Sequence, residues 1–255
     1  MSVVVILEWS YAPAGYFEEP IRVARDHYVM TMDNGKAEAR INAVVFDQRP
    51  SLREELHHAL NDRFLGAQLI SHHAYALSKP TMVRLHPDGR RDIFIQLESA
   101  QIKLSAGSVD VRITDQEGNV VSDTRQERIE RKKTIADLVE TYRAKDALLA
   151  LLLRSYSAAV TDADNELVHL YEIRDALADK FGSKDTACSA LKITTGQWNR
   201  LGYIANIEPL RQGRHRGKSG AALRDSTVGE LIEARTIARA MVEAYLRYLD
   251  SSSTK

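Results

Sequence analysis

The first half of the chain reads as strands. Residues 3–48 hold the runs VVVILEW, EEPIRVARDHYVMTM and KAEARINAVVF, in which apolar positions alternate or cluster, separated by APAG and DNG. Asp33-Asn34-Gly35 is a hairpin turn signal, because Asn and Gly adopt positive φ at little cost. PSLREELHHAL then predicts a short amphipathic helix, with Leu52, Leu56 and Leu60 four apart and Ser51 and Glu54 spaced as a capping box. TMVRLH and DIFIQLE flank Pro87-Asp88-Gly89 as a second hairpin, and SVDVRIT and NVVSD flank DQEGN as a third.

At Asp123 the period changes. Residues 124–158 lack Pro and Gly and carry Ile129, Ile135, Leu138, Tyr142, Leu148, Leu149 and Leu152, which predicts one long helix. A second helix opens near Asp162–Asp164 and runs to Gly182 on Leu167, Leu170, Tyr171, Ile173, Leu177 and Phe181. Short helices follow near 186–191 and 195–204. The last helix opens at Thr227, with Glu230 completing a capping box. The expected fold is α+β: a mainly antiparallel β domain over 1–123 with one short helix, a helical bundle over 124–250, and a frayed tail at 251–255.

Composition adds limits. With 44% hydrophobic and 27% charged residues the 255-residue chain has the profile of a globular protein able to bury large cores. No apolar run reaches the roughly 20 residues a bilayer-crossing helix needs, and MSVVVILEWS lacks the basic start of a signal peptide. A cytoplasmic protein with no membrane partner is therefore expected. The single cysteine, Cys188, fits a reducing compartment and reads as a small buried helix residue.

Formal net charge is zero, so attraction for polyanions must come from a local patch. That patch lies over 192–218, where Lys192, Arg200, Arg211, Arg214, Arg216 and Lys218 face only Glu208, a net of plus five. Its centre, 206–220 (NIEPLRQGRHRGKSG), contains Pro209, Gly213, Gly217 and Gly220 and therefore reads as a loop. Clustered guanidinium groups with an imidazole, His215, suit phosphate, although a solvated basic loop has the same composition. Trp198 and Tyr203 read as core aromatics of the short helix, with base stacking as the alternative. The pairs His57-His58 and His72-His73 do not make a metal site, because adjacent helical residues point roughly 100° apart, and no HExxH occurs. Neither a metal nor another cofactor is expected. Phosphate-loop, dinucleotide and serine-nucleophile motifs are likewise missing.

The helical order, the segment LYEIRDAL and NIEPLRQGRHRG before the last helix together resemble the HEPN superfamily, over about residues 125–250. Active members are metal-independent ribonucleases that use an Arg and a His separated by four to six residues to drive attack by the RNA 2′-hydroxyl. The resemblance places that His at His215 and the Arg at Arg211, with Arg214 as a further phosphate donor. Only three residues separate Arg211 from His215; Arg22 with His27 and Arg53 with His58 fit the family spacing better but lie in the β-rich half. Other members have lost catalysis and act as binding or interaction modules. The expected function is thus an RNA- or nucleotide-binding module in antiviral or stress response, with a metal-independent endoribonuclease as the alternative. Arg216, Lys218, Arg200 and Asn206 are the expected substrate contacts, and Glu172 and Asp175 are placed to orient an Arg or His. The resemblance also implies a homodimer and a protein partner for the β-rich domain.

Overall fold

The computed structural model describes residues 3–94, 110, 112–114, 120–214 and 222–253. It is α+β, with an antiparallel sheet followed by a helical region. The chain forms two compact units. Unit 1 comprises residues 1–64 and 75–132, and unit 2 residues 65–74 and 133–255.

In unit 1 the sheet is built on β1 (Val4–Ala12), whose Val5, Ile6, Leu7, Trp9 and Tyr11 are all buried, as expected of a central strand. The other strands are β2 (Ile21–Arg25), β3 (Tyr28–Asp33), β4 (Lys36–Asn42), β5 (Ala76–Leu77), β6 (Thr81–Leu85) and β7 (Arg91–Phe94). The order is β2-β3-β4-β1-β6-β7, all antiparallel, with β5 also on β1. Asn34 (φ 42°) and Gly35 (φ 81°) make the expected tight turn, pairing Asp33 with Lys36. β8 (Arg112–Thr114) and β9 (Val120–Asp123) form a separate ribbon. The expected strand residues 95–98 and turn residues 115–119 lie outside the described residues.

Several elements depart from the pattern. EEPIRVARDHYVMTM is two strands, because Arg25 and Tyr28 pair across a two-residue turn. The β-branched end of KAEARINAVVF folds as helix α1 (Ala43–Gln48), since the Asn42 side chain caps it by accepting from the Val44 amide at 2.9 Å. The short helix extends to twenty residues as α2 (Leu52–Ser71), because Phe64, Leu65, Ala67 and Leu69 prolong its buried stripe. Ser51 meets Glu55 at 2.6 Å instead of Glu54. Within unit 1 the Trp9 indole donates to His57 Nδ1 at 3.2 Å, so the proton of His57 resides on Nε2.

The expected long helix is divided into α3 (Thr124–Tyr142) and α4 (Ala147–Thr161). Asp146 causes the break: its carboxylate accepts from the Leu149 amide at 2.7 Å and starts a new helix. A 3-10 turn (Ala163–Asn165) leads into α5 (Glu166–Phe181), which ends at Gly182 with φ 80°. α6 (Lys184–Leu191), α7 (Thr195–Asn206) and α8 (Val228–Ser253) complete unit 2. α8 opens with the expected capping box, Thr227 with Glu230, and runs through Ser251–Ser253, part of the expected frayed tail.

A buried polar network closes unit 2. Glu166 is 2% exposed and receives two hydrogen bonds from Arg235, at 2.5 and 2.7 Å. His72, just past α2, adopts φ 51° and sits beside Tyr156, with Nδ1 3.3 Å from the hydroxyl. His72 Nε2 is 3.6 Å from Glu166, beyond hydrogen-bonding reach, so Arg235 satisfies that carboxylate. Burial, helped by Arg235, His73 and Arg239, pushes the His72 imidazole down to about 3. The unfolded chain, near 6.5, therefore binds more protons between pH 6.5 and 3, and stability falls as pH drops through that window.

Two measurements check these contacts. A Cβ on Gly66 would lie 2.6 Å from the Ala136 Cα, whereas one on Gly15 meets nothing within 4 Å. Gly66→Ala is expected to cost about 1–3 kcal/mol or more in urea unfolding, and Gly15→Ala under about 0.5 kcal/mol. His72→Asn keeps a residue tolerant of positive φ and is expected to flatten the loss of stability from pH 6.5 to 4. The parent should lose roughly 3–6 kcal/mol across the full window through this group; equal acid slopes for parent and variant would contradict the assignment.

Candidate functional site

The site grows from one face of α5, where Tyr171, Arg174 and Asp175 follow at three- and four-residue spacing and so project together. Arg174 lies over two aromatic faces, 4.9 Å from the Tyr171 ring centre and 5.4 Å from that of Trp198 on α7. Gly202 leaves the slot open: a Cβ there would meet the Arg174 guanidinium carbon at 3.3 Å. Trp198 is fully buried, as expected for a core aromatic, whereas Tyr203 is 45% exposed and sits beneath Arg200.

The loop after α7 is pinned at both ends. Arg214 N donates to Ala205 O at 2.9 Å, Arg211 N to Arg224 O at 3.0 Å, and Arg224 N to Pro209 O at 3.1 Å. Gly213 allows this closure, because a Cβ there would lie 3.2 Å from Ala205 O. The pinned backbone delivers Arg214 to α5. Its guanidinium also lies over Tyr171, at 4.7 Å, and donates to Asp175 at 2.7 Å. Asp175 also meets Arg174 at 3.4 Å, so one carboxylate serves both cations. Arg214 remains 45% exposed and Arg174 only 20%.

Among the described residues, three of the expected cations meet acids. Arg200 is gripped by Glu233 through two bonds at 2.9 and 2.8 Å, Arg211 lies 3.8 Å from Asp225, and Arg214 meets Asp175. These acids come from outside 192–218, so a count along that window could not include them. Arg224, adjoining the loop, is shared by Glu208 and Glu230, and its hydrogen bonds hold the Glu230 carboxyl down to about 2. Asn206 is the last residue of α7. His215, Arg216 and Lys218 lie outside the described residues. Glu172 bonds Ser155 at 3.0 Å; among the described residues only Asp175 of the two expected orienting acids reaches an expected site residue.

The alternative Arg and His pairs belong to unit 1. Arg53 donates to Pro80 O at 2.7 Å, and Arg22 and His27 are exposed on β2 and its turn. Among the described residues no group of three or more His, Cys, Asp or Glu side chains is placed to hold a metal ion. The sequence reading missed Arg174 and the aromatic role of Tyr171. Their signal was present in the spacing 171, 174, 175, but Tyr171 was assigned wholly to the core stripe.

The arrangement assigns different duties to the two arginines. Arg174→Ala is expected to destabilise by about 1–3 kcal/mol, because it empties a slot between two rings. Asp175→Asn, touching half-exposed pairs, should cost under about 1 kcal/mol. Urea unfolding of both variants checks this order. No protein-family model, curated protein or solved structure matches this chain.

Proposed function

We propose that this chain is a nucleic-acid- or nucleotide-binding module that takes phosphate at the loop after α7. Arg214 carries the reading. It is half-exposed, stacked on Tyr171 and steered by Asp175, and the chain continues from it directly into His215, Arg216 and Lys218. An oriented guanidinium with exposed N–H groups is suited to phosphate oxygens, and stacking lowers the rotamer entropy lost on binding. Asp175 stands where an anionic ligand would compete, so binding exchanges one anion for another and is sensitive to ionic strength.

The endoribonuclease is the second reading, favoured by the adjacency of His215 to this oriented arginine. In that reaction His215 takes or gives the proton at the 2′-hydroxyl or 5′-oxygen, while Arg214 and Arg211 bind the phosphorane-like centre.

Fluorescence anisotropy with labelled RNA and with a labelled nucleotide tests the binding site. Affinity is expected to fall with added salt as counterions are released, and Arg211→Ala, Arg214→Ala and Arg216→Ala together should abolish it with the fold intact. Unchanged binding by the triple variant would place the site elsewhere. In the same RNA assay, His215→Ala lowering cleavage roughly 10²- to 10⁴-fold, with affinity kept, would establish the ribonuclease. Absence of His215-dependent cleavage leaves the binding module.

A further inference from the structure

We propose that α6, the turn 192–194 and α7 form a helix-turn-helix that reads the major groove of double-stranded DNA, with α7 as the entering helix. The inference rests on the nucleic-acid reading above and assigns its duplex ligand to a different surface. Three residues separate Leu191, the last of α6, from Thr195, the first of α7. That is the short turn this motif uses.

The turn is made by a residue under constraint. Lys192 adopts φ 54° and ψ 40°, and its N–H donates back to the carbonyls of Cys188 and Ser189. Glycine is the usual occupant of that conformation, so this chain accepts a strained backbone to place a lysine there. Ile193 next to it is buried, and with Ala187, Cys188, Leu191, Trp198 and Leu201 it joins the two helices through one apolar seam. Thr194 then caps α7 in a full capping box with Gln197, fixing where the helix starts.

The opposite side of α7 is open. Thr195, Gly196, Asn199, Arg200 and Tyr203 are exposed, Arg200 being held by Glu233, while the face bearing Trp198, Leu201, Ile204 and Ala205 is buried. A second observation places α6 at the same surface: Lys184, its first residue, reaches Asn199 Oδ1 at 3.4 Å. The start of α6 and the exposed face of α7 therefore present together, as they must if the first helix crosses the DNA backbone while the second enters the groove. Asp185 beside Lys184 is the opposing charge on this surface.

The exposed side chains fit base edges. Asn pairs bidentately with adenine, and the Thr methyl packs on the thymine methyl. Arg200 is held by Glu233, which leaves Thr195 and Asn199 as the principal readers. Lys192 and Lys184 supply phosphate contacts, which position the protein without specifying sequence. Twelve residues make α7 about 18 Å long, and the B-form major groove, about 12 Å wide, admits a helix. The narrow major groove of duplex RNA does not, which selects DNA.

The test is selection of a randomised duplex DNA pool on the full chain, followed by anisotropy with the selected duplex and with RNA of the same sequence. A base-specific motif is expected to emerge. Thr195→Ala and Asn199→Ala should each relax one position of that motif and weaken the selected duplex about 5- to 160-fold. Both side chains are exposed, so thermal melting should be unchanged. Lys192→Ala should weaken all duplexes alike. A pool with no enriched motif, equal affinity for duplex RNA, or an unaltered motif in both helix variants would overturn the inference. If no motif emerges but salt-dependent binding disappears in the Arg211, Arg214 and Arg216 triple variant, the helix proposal fails and the loop reading stands. A selected duplex bound normally by that triple variant gives the converse.

Discussion

The position of α7 depends on the Arg174 guanidinium, which lies over the rings of both Tyr171 and Trp198. A charged group in a slot between rings is held by the ring faces and by Asp175, and it excludes any larger residue at Gly202. Since α7 follows the turn at Lys192 and precedes the loop at Arg214, one stacked contact sets the direction of both surfaces. The Nε of Arg174 is buried without a hydrogen-bond partner. Such a group costs stability, and the aromatic contacts on either side are what offset that cost.

Charge is managed differently at the two ends of α7. Near its start Lys192 stands exposed on a strained turn. After its end Arg211, Arg214 and Arg224 each meet a carboxylate, on Asp225, Asp175 and the pair Glu208 and Glu230. Exposed ion pairs of this kind contribute little to stability, so their physical effect is on orientation and competition. An arginine already aligned by a carboxylate is close to the geometry in which it binds phosphate, while the carboxylate raises the local salt and ligand concentration needed to displace it. The described arginines of the loop thus meet carboxylates although the sequence window carries five excess positive charges.

Local signals were legible in the sequence wherever cause and effect lie within a few residues. The Asn34-Gly35 turn, the stop at Gly182 and the Thr227 and Glu230 box are of this kind. Asp146 shows the limit: nothing in the composition of 124–158 announces a break, yet one carboxylate on the Leu149 amide ends the expected helix. Asn42 does the same to a β-branched run. Charge was read worst, because Glu233 pairs with Arg200 from thirty-three residues away and Asp175 with Arg214 from thirty-nine. The helix pair at 184–206 was visible as two helices, but its turn was not, since a lysine occupies the left-handed position where glycine would have signalled it.

The two proposed surfaces would meet different physical demands, which is why one chain could carry both. Phosphate is the same along every nucleic acid, so a loop that binds it needs charge and orientation but no particular order of side chains. Base edges differ, and reading them requires a rigid element whose side chains recur at fixed spacing. The capping box at Thr194 and the buried Trp198 and Leu201 give α7 that rigidity. Under the two proposals, separation along one helix would let the loop govern affinity and salt response while the helix governs sequence preference. The two contributions would therefore respond to different substitutions.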